Sequence, residues 1–265
     1  MAEVRKEIID ELTRDGFTFP VQLFPKMTVQ GIRSAWDRLE QGEGFKSRGI
    51  NRPHSRQFDQ RFVWDIAANP RLLDIVEAVL GPNILLFGTR FFCKYGGDGA
   101  YVTWHQDACP ETWGLQPPIA LTAWYAIDET TEANGCMYML PGSHTSGIRT
   151  HAIRNRPGNI LSRGRELTPS RQELASAVPI LLQPGEISLH YGTTVHSSGR
   201  NTKSGRRCGL AIRYVPTTVR QVENSDWPAS RAVLLRGVDR EGHFRKEDPP
   251  FPFPAASPSQ STAAT

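Results

Sequence analysis

Residues 84–95 read Ile84-Leu85-Leu86-Phe87-Gly88-Thr89-Arg90-Phe91-Phe92-Cys93-Lys94-Tyr95 and are followed by Gly96-Gly97. Two runs within them, 84–87 and 90–95, are short, largely apolar and rich in residues that favour β-structure. Runs of this length that end at turn residues are typical of strands rather than helices. The stretch therefore predicts the first strands of a β-rich core that begins near residue 83.

Similar runs continue along the chain as far as residue 214. They are Val102–His105, Ile119–Ile127, Cys136–Leu140, Ile180–Leu182, Glu186–Tyr191 and Arg207–Tyr214. About eight strands separated by turn signals indicate a sandwich or a barrel rather than alternating βαβ units. The 23 glycines and 20 prolines of the chain also fit a turn-rich β fold better than a helix bundle.

Helical periodicity dominates the first quarter of the chain. Three helices are predicted: residues 4–14, with Val4, Ile8 and Leu12 on one face; a second capped by Thr28, with Ile32, Trp36 and Leu39 on one face; and Pro70–Leu80, ended by Gly81-Pro82. Helices with one apolar face would pack on the outside of a sheet. The predicted fold class is therefore an all-β core with flanking helices.

The length of 265 residues fits one domain, because β-rich domains often reach about 200–250 residues. We expect a single domain over residues 1–248, with a helical shell at 1–82 and the core at 83–216. Residues 143–179 are basic and polar, and we interpret them as a lid-like insertion, since such long loops usually have a function. The tail 249–265 is rich in Pro, Ala, Ser and Thr and is expected to be disordered.

The charge and the cysteines limit the partners and the compartment. The net charge is +4, but the basic residues are scattered and residues 154–165, the densest cluster, lack aromatic residues that could stack on bases, so no nucleic-acid partner is expected. Cys93, Cys109, Cys136 and Cys208 form no C-x-x-C pair. The sequence shows neither an apolar leader nor a membrane-length run, so we expect a reduced, soluble, cytoplasmic protein without membrane contact.

A potential metal site follows one of the predicted strands. In a strand, residues i and i+2 point to the same side, so His105 and Asp107 can present an imidazole nitrogen and a carboxylate oxygen to one point. His196, shortly after the strand Glu186–Tyr191, can supply a third ligand. Two histidines and one carboxylate on one face leave coordination positions open, which suits Fe(II) that must bind a co-substrate and O2.

Arg207 opens the predicted strand that follows His196 along the chain. A guanidinium can hold a carboxylate through two parallel hydrogen bonds, so Arg207 could bind the far carboxylate of an oxoacid that chelates the iron. The alternative is that Arg207 is a charged residue protecting an edge strand.

Several motifs between residues 104 and 214 carry a family resemblance. They are Trp104-His105-Gln106-Asp107-Ala108, Trp113-Gly114-Leu115, Leu121–Ile127, Asn134-Gly135-Cys136, Pro141-Gly142-Ser143-His144 and His196–Asn201 with Arg207. In this combination and order, the chain resembles the phytanoyl-CoA dioxygenase family of Fe(II)/2-oxoglutarate oxygenases. The resemblance implies a double-stranded β-helix, a cupin-like jelly roll, which agrees with the strand prediction.

The resemblance also implies the cofactors and the residues that hold them. It implies Fe(II) bound by His105, Asp107 and His196, with 2-oxoglutarate and O2 as co-substrates. Arg207 would bind the 2-oxoglutarate. Ser198 would assist at the same carboxylate, and Thr122 would add a further hydroxyl unless it is simply a β-branched strand residue.

The reaction implied is hydroxylation of an unactivated C–H bond of a small molecule, with decarboxylation of 2-oxoglutarate to succinate and CO2. The same centre could instead catalyse desaturation, epoxidation or cyclisation in natural-product biosynthesis, and a non-catalytic jelly-roll binding protein is a further alternative. Halogenation is not expected, because halogenating relatives have a small residue where Asp107 stands. A nucleic-acid demethylase is disfavoured, because Arg207 lies closer to His196 than those enzymes require.

On the substrate side, Arg90, Phe92 and Trp113 are the candidates. The resemblance places Arg90 and Phe92 on a strand lining the pocket and Trp113 over the iron, although buried aromatic residues are usually core. Arg90 beside aromatic residues suggests a substrate with an anionic group. His190 is expected to support a metal ligand rather than to bind metal, and the protein is expected to be a monomer or a homodimer.

Overall fold

The computed structural model describes residues 2–110, 112–161, 164–222 and 231–255, and strands form the centre of the protein. In chain order the strands are β1 Phe17–Gln22, β2 Ile84–Lys94, β3 Val102–His105, β4 Leu115–Gln116, β5 Leu121–Ala126, β6 Met137–Met139, β7 Ala152–Ile153, β8 Arg165–Glu166, β9 Val178–Ile180, β10 Glu186–Tyr191, β11 His196–Ser198, β12 Arg207–Pro216, β13 Arg220–Gln221, β14 Arg231–Arg236 and β15 Arg245–Glu247. The large sheet has the order β1-β10-β5-β12-β2-β14-β15 and the small sheet the order β3-β11-β6-β9.

The two sheets pack face to face. Trp124 and Ala211 on the inner face of the large sheet share one buried apolar cluster with Met137, Met139 and Ile180 of the small sheet. Neighbouring strands within both sheets run antiparallel, except for the β14–β15 pair at one edge. This arrangement is the predicted jelly roll, and the space between the sheets at one end holds the candidate site.

Helices cover the outer face of the large sheet. They are α1 Ala2–Asp15, α2 Lys26–Glu43, α3 Arg61–Ala67 and α4 Pro70–Leu80, while α5 Arg171–Ala175 lies in the insertion. Trp36 of α2 stacks on Phe91 of β2 with 4.1 Å between ring centroids, and both side chains are fully buried. Burying a large apolar side chain contributes about 1.5–3 kcal/mol, so this contact anchors the helical layer firmly.

The helix bounds partly match the predictions. The helix Pro70–Leu80 is confirmed: the Asn69 side chain accepts hydrogen bonds from Arg71 N and Leu72 N, and the helix ends at Gly81. The prediction that Thr28 caps the second helix is wrong, because α2 begins earlier, after Pro25. The short helix α3 was not predicted, since seven residues are too few for a periodic pattern to stand out.

The strand bounds show similar differences. Val102–His105 and Glu186–Tyr191 are confirmed, whereas 84–95 is one continuous strand instead of two runs. The predicted helical shell of residues 1–82 also contains β1, whose Pro20 suits an edge strand because proline cannot donate to a neighbour. The sheet also continues past the predicted core boundary at residue 216, through β14 and β15.

The insertion at 143–179 is attached to the strand that carries the metal motif. Leu167 N donates to Trp104 O at 2.7 Å, and Thr103 Oγ1 donates to Arg165 O at 2.7 Å. Short elements, including the β7–β8 pair and α5, give its described residues a defined structure. That the insertion acts as a lid stays a prediction.

The expectation of a disordered tail is wrong for residues 249–255, which pack on α3. Trp64 Nε1 donates to Pro252 O at 3.1 Å, and the rings of Trp64 and Phe253 lie 5.3 Å apart. The aromatic residues among the prolines bury enough surface to fix this part of the chain. Residues 256–265 lie outside the described residues.

The cysteine prediction needs a correction as well. Cys93 and Cys208 are register partners on β2 and β12, and they form a disulfide with their Cα atoms 4.1 Å apart, whereas reduced cysteines were expected. Strand pairing brought together two cysteines that are far apart in sequence. Cys109 and Cys136 are free and buried. Within the described ranges, no helix has the length and apolarity needed to cross a membrane.

Candidate metal and co-substrate site

Strand pairing brings the three predicted metal ligands together. His105 on β3 and His196 on β11 are register partners, with 4.1 Å between their ring centroids. Asp107 lies in the turn after β3, and its Oδ1 is 3.5 Å from His105 Nε2. One donor atom from each residue lies within 4.8 Å of the other two, so the buried group could hold one metal ion.

The backbone fixes the orientation of both imidazole rings. His105 Nδ1 lies 2.9 Å from Thr103 O, and His196 Nδ1 lies 3.0 Å from Thr194 O. A carbonyl can only accept, so each Nδ1 carries the proton and donates it. Each Nε2 then keeps its lone pair for a metal, which is the usual arrangement of metal-binding histidines.

The ionisation of Asp107 and His196 also suits a metal. Burial alone would raise the pKa of Asp107, but hydrogen bonds from His105 and His190 outweigh it and hold that pKa well below its usual value. Burial, together with repulsion from His105, lowers the pKa of His196 well below its usual value. The site therefore presents a carboxylate and a neutral imidazole, the forms in which these groups bind metals.

Thr122 and His190 lie behind Asp107. Thr122 Oγ1 donates to Asp107 Oδ2 at 3.4 Å, and His190 Nε2 is 3.7 Å from the same oxygen. The two residues are register partners on β5 and β10. His190 thus lies where it can support the ligand Asp107, as predicted. Thr122 also contacts Asp107, and its partner on β12 is Arg213 rather than Arg207.

Gln106, between the two ligands of the motif, connects the site to its surroundings. Its Nε2 donates to Gly147 O at 2.8 Å and to Thr193 O at 2.6 Å, and its Oε1 accepts from Arg149 N at 2.8 Å. The amide is fully buried. It therefore joins the turn carrying Asp107 both to the insertion and to the loop that leads into His196, a role that no sequence pattern indicated.

Arg207 lies at one end of the same cavity. It is fully buried on the central strand β12, between β5 and β2, so the edge-strand alternative is wrong. Its Nε and Nη2 donate to Gly135 O, and its guanidinium carbon lies 5.3 Å from the Trp124 ring centroid. Burial lowers the pKa of Arg207 to about 10, which leaves it charged at neutral pH.

Lys94 is a further charged residue at this end of the cavity that the sequence did not single out as a site residue. Its Nζ donates to Ser198 Oγ at 2.6 Å, so it adjoins the hydroxyl predicted to assist Arg207. Lys94 is the register partner of Arg207 on β2. A buried lysine in a strand pattern that alternates with aromatic residues was the signal that could have identified it.

One cavity contains most of the predicted residues. It encloses about 470 Å³ between the sheets and is lined by Phe92, Lys94, Val102, His105, Asp107, Thr122, Trp124, Met137, His190, His196, Ser197, Ser198, Arg207, Ala211 and Arg213. The wall combines the metal ligands, cationic groups and apolar side chains. Such a mixture is typical of a small-molecule site in which a few polar groups orient the ligand.

Two of the predicted substrate residues are not part of the cavity wall. Trp113 is buried against Phe87, with 5.7 Å between ring centroids, and belongs to a separate apolar cluster. Its ring centroid lies 4.9 Å from the guanidinium carbon of Arg213, which does line the cavity. Arg90 is partly buried beside this group on β2. The structure thus places Phe92 directly in the cavity, and Trp113 and Arg90 beside it.

Comparison with known proteins gives a consistent family. The phytanoyl-CoA dioxygenase family model matches residues 12–209. A "Probable alpha-ketoglutarate-dependent hypophosphite dioxygenase" of Stutzerimonas stutzeri is 33% identical over 177 residues, 63% of this chain and 56% of that protein. The L-proline trans-4-hydroxylase of Streptomyces griseoviridis is 27% identical over 169 residues, 55% of this chain and 59% of that protein. The chain spans about half the length of the curated relatives it matches.

Solved structures share the fold over almost the whole chain. The apo non-heme monooxygenase ThoJ is 28% identical, with a TM-score of 0.73 over 91% of this chain and 87% of that one. CytC3 with Fe(II) and alpha-ketoglutarate is 24% identical, with a TM-score of 0.65 over 91% of this chain and 92% of that one. These similarities confirm the jelly roll predicted from the strand pattern.

Proposed function

The chain belongs to the phytanoyl-CoA dioxygenase family of Fe(II)/2-oxoglutarate oxygenases, and from this premise we propose that it hydroxylates a small molecule that carries an anionic group. In the reaction, 2-oxoglutarate is decarboxylated to succinate and CO2 while O2 supplies the hydroxyl oxygen. The observation that supports this best is the geometry of one cavity, in which a buried His-Asp-His group and a buried arginine line the same wall.

Each of these residues has a defined task in the proposed reaction. His105, Asp107 and His196 would hold the iron, and Arg207 with Ser198 would hold the 2-oxoglutarate. When bound, iron and 2-oxoglutarate supply the chemistry that activates O2. The protein orients both through its fixed imidazoles and buried cation, and apolar side chains such as Trp124 and Met137 keep water out.

Asp107 bears on the outcome of the reaction. Its carboxylate fills the third ligand position, so it occupies the place that a halide would need. We therefore infer hydroxylation rather than halogenation. Thr122 and His190, which contact the other carboxylate oxygen, would keep Asp107 in this orientation.

The anionic group of the substrate is inferred from a second set of cations. Arg213 lies in the cavity and interacts electrostatically with Asp107 and Arg52. Burial, then repulsion from Arg213 and Arg52, lowers the pKa of Arg90 to about 9. Guanidinium groups gathered in this way favour an anion beside them, because each is partly desolvated and repels the others.

The names of two relatives agree with this inference. Hypophosphite is an anion, and L-proline carries a carboxylate; both are named as the substrates of proteins similar to this chain. We infer that a carboxylate, phosphinate or phosphonate group of the substrate approaches Arg213 and Arg90. Phe92, in the cavity wall, would contact the apolar part of the substrate.

A spectroscopic titration tests the proposed centre. Fe(II)-loaded protein mixed anaerobically with 2-oxoglutarate should develop a weak visible metal-to-ligand charge-transfer band, because the oxoacid chelates the iron. His196→Ala should remove both the retained iron and the band, while an exposed control such as Lys203→Met should leave both unchanged. Correctly metallated protein without a band would eliminate the proposal.

The substrate class needs a separate measurement. Succinate formation should be followed with a panel of amino acids, organophosphonates, acyl thioesters and secondary metabolites, in each case beside an uncharged analogue. We expect stimulation by anionic compounds, reduced in Arg213→Gln through a higher KM. Stimulation by neutral analogues alone would contradict the inferred anionic group while leaving the iron and 2-oxoglutarate site intact.

A further inference from the structure

Lys94 is a fully buried lysine whose role the proposed function leaves open. Its Nζ donates to Ser198 Oγ at 2.6 Å, to Gly135 O at 3.2 Å and also to Gly199 O. Among the described residues, no carboxylate forms a salt bridge with it. An ammonium group surrounded only by neutral acceptors is costly to bury, since these replace hydration without balancing the charge.

Arg207 increases this cost. Lys94 and Arg207 are register partners on β2 and β12, so their side chains leave the same face of the sheet. Both donate to the same acceptor, Gly135 O. Burial, and then repulsion from Arg207, lowers the pKa of Lys94 well below its usual value. Two cations thus converge on a single carbonyl oxygen.

The position of that carbonyl depends on a glycine. Gly135 has a φ of +80°, and a Cβ atom there would overlap the backbone oxygen of Gly199. The turn before β6 can therefore press against the end of β11 only without a side chain. This close approach brings Gly135 O to the two cations and encloses their end of the cavity.

The two cations and the Ser198 hydroxyl line the same cavity as His105, Asp107 and His196. A ligand that chelates a metal at the triad and extends toward Arg207 would bring its far end to Lys94 as well. A carboxylate at that end can accept from both cations and from the hydroxyl, and its charge offsets theirs. A carbonyl oxygen alone cannot do this.

We propose that Lys94 is the second cation of the co-substrate site and that, with Arg207, it selects 2-oxo acids that carry a distal carboxylate. The inference rests on the proposed function, because it takes 2-oxoglutarate as the ligand. It differs from a purely structural role, in which Lys94 only ties Gly135 and Gly199 together. In that case any 2-oxo acid would be affected equally by its loss.

A pair of ligands separates the two roles. Mn(II)-loaded protein is titrated calorimetrically with 2-oxoglutarate and with 2-oxopentanoate, which has the same carbon chain but lacks the distal carboxylate. Lys94→Met should weaken 2-oxoglutarate binding at least about tenfold, the scale of a lost charged hydrogen bond, and change 2-oxopentanoate binding less than about twofold. Lys203→Met, at an exposed lysine, is the matched control. Equal weakening of both ligands, or no weakening, would overturn the proposal.

A second variant keeps the test decisive if Lys94→Met does not fold, which a thermal melt would reveal. In Arg207→Gln, Lys94 remains, so 2-oxoglutarate should still bind more tightly than 2-oxopentanoate, although by less than in the unmodified protein. Equal affinity for the two ligands in this variant would show that Lys94 contributes nothing. Unmodified protein that binds neither ligand would instead remove the proposed function itself, and with it this inference.

Discussion

The two histidine ligands hold their rings through their own strands. Each Nδ1 donates to the carbonyl two residues earlier, from Thr103 to His105 and from Thr194 to His196. This contact depends only on local geometry, so the metal-binding tautomer does not need a distant partner. The same local logic let the motif be identified from sequence, since His105 and Asp107 need only their spacing to face one point.

The pH dependence of metal binding follows from the burial of these ligands. With its pKa well below the usual value, His196 takes up a proton only at a more acidic pH than an ordinary histidine would. The ionised Asp107 likewise needs no deprotonation. We therefore expect Mn(II) affinity to fall by no more than about fourfold between about pH 7.5 and 6, because at most one histidine proton competes.

Calorimetric titrations across this pH range, in buffers of different ionisation enthalpy, would measure both the affinity and the protons released. A fall of more than about tenfold, with two protons released per metal, would show that both histidines titrate normally. That result would contradict the neutral His196 described above without affecting the identity of the ligands.

At the scale of elements, β12 organises the site. Its residues alternate between two buried faces: Leu210 and Ile212 pack under the helices, and Arg207 and Arg213 face the cavity. A strand buried on both faces cannot be assigned its inner face from apolar periodicity alone. The charged residues reveal it, because they are tolerated only where a polar cavity receives them.

Gly209, between Arg207 and Ala211 on β12, provides space for Trp124. A Cβ atom there would overlap the Trp124 indole, which lies beneath the Arg207 guanidinium. We expect Gly209→Ala to cost about 1–3 kcal/mol through overpacking and to weaken 2-oxoglutarate binding, because the displaced ring no longer supports Arg207.

Chemical unfolding and the calorimetric titration described for Lys94 would test this. Gly205→Ala is the matched control, since a Cβ atom at Gly205 meets nothing within 4 Å. Unchanged stability and co-substrate affinity in Gly209→Ala would mean that the Trp124 ring is not held in place by the lack of a side chain.

At the scale of the whole molecule, Arg206 connects the helical layer to the cavity strand. It is mostly buried and forms ion pairs with Asp37 at 2.9 Å and Glu40 at 2.5 Å, both on α2, and with Asp128 at 2.8 Å. Its pKa is raised: burial alone would lower it, but Asp128 and Glu40 outweigh that effect. The network thus fixes α2 at the end of β12, next to Arg207.

We expect Arg206→Ala to reduce the free energy of unfolding by about 3 kcal/mol, because it leaves partly buried carboxylates without their cation. Arg61→Ala, which removes the exposed pair of Arg61 with Asp65, should cost less than about 1 kcal/mol. Urea unfolding of both variants gives the comparison. Equal, small losses would show that the Arg206 network does not hold the two layers together.

The sequence predicted the features that depend on local pattern. Alternating apolar runs indicated the jelly roll, and Pro70 with Gly81 marked a helix. The short edge strand β1 and the packed segment 249–255 were missed, because their stability comes from neighbours distant in the chain. The aromatic residues of that segment become stabilising only once α3 is beside them.

By itself, the sequence determined which chemistry the protein can perform, because the ligand types of His105, Asp107 and His196 and their spacing set the metal. The tertiary structure alone decided what surrounds that metal. Thr122 reached Asp107, and Lys94 came to lie against Arg207, through strand order and register. Register is set by packing of whole sheets, so no local pattern specifies which cation faces which across two strands.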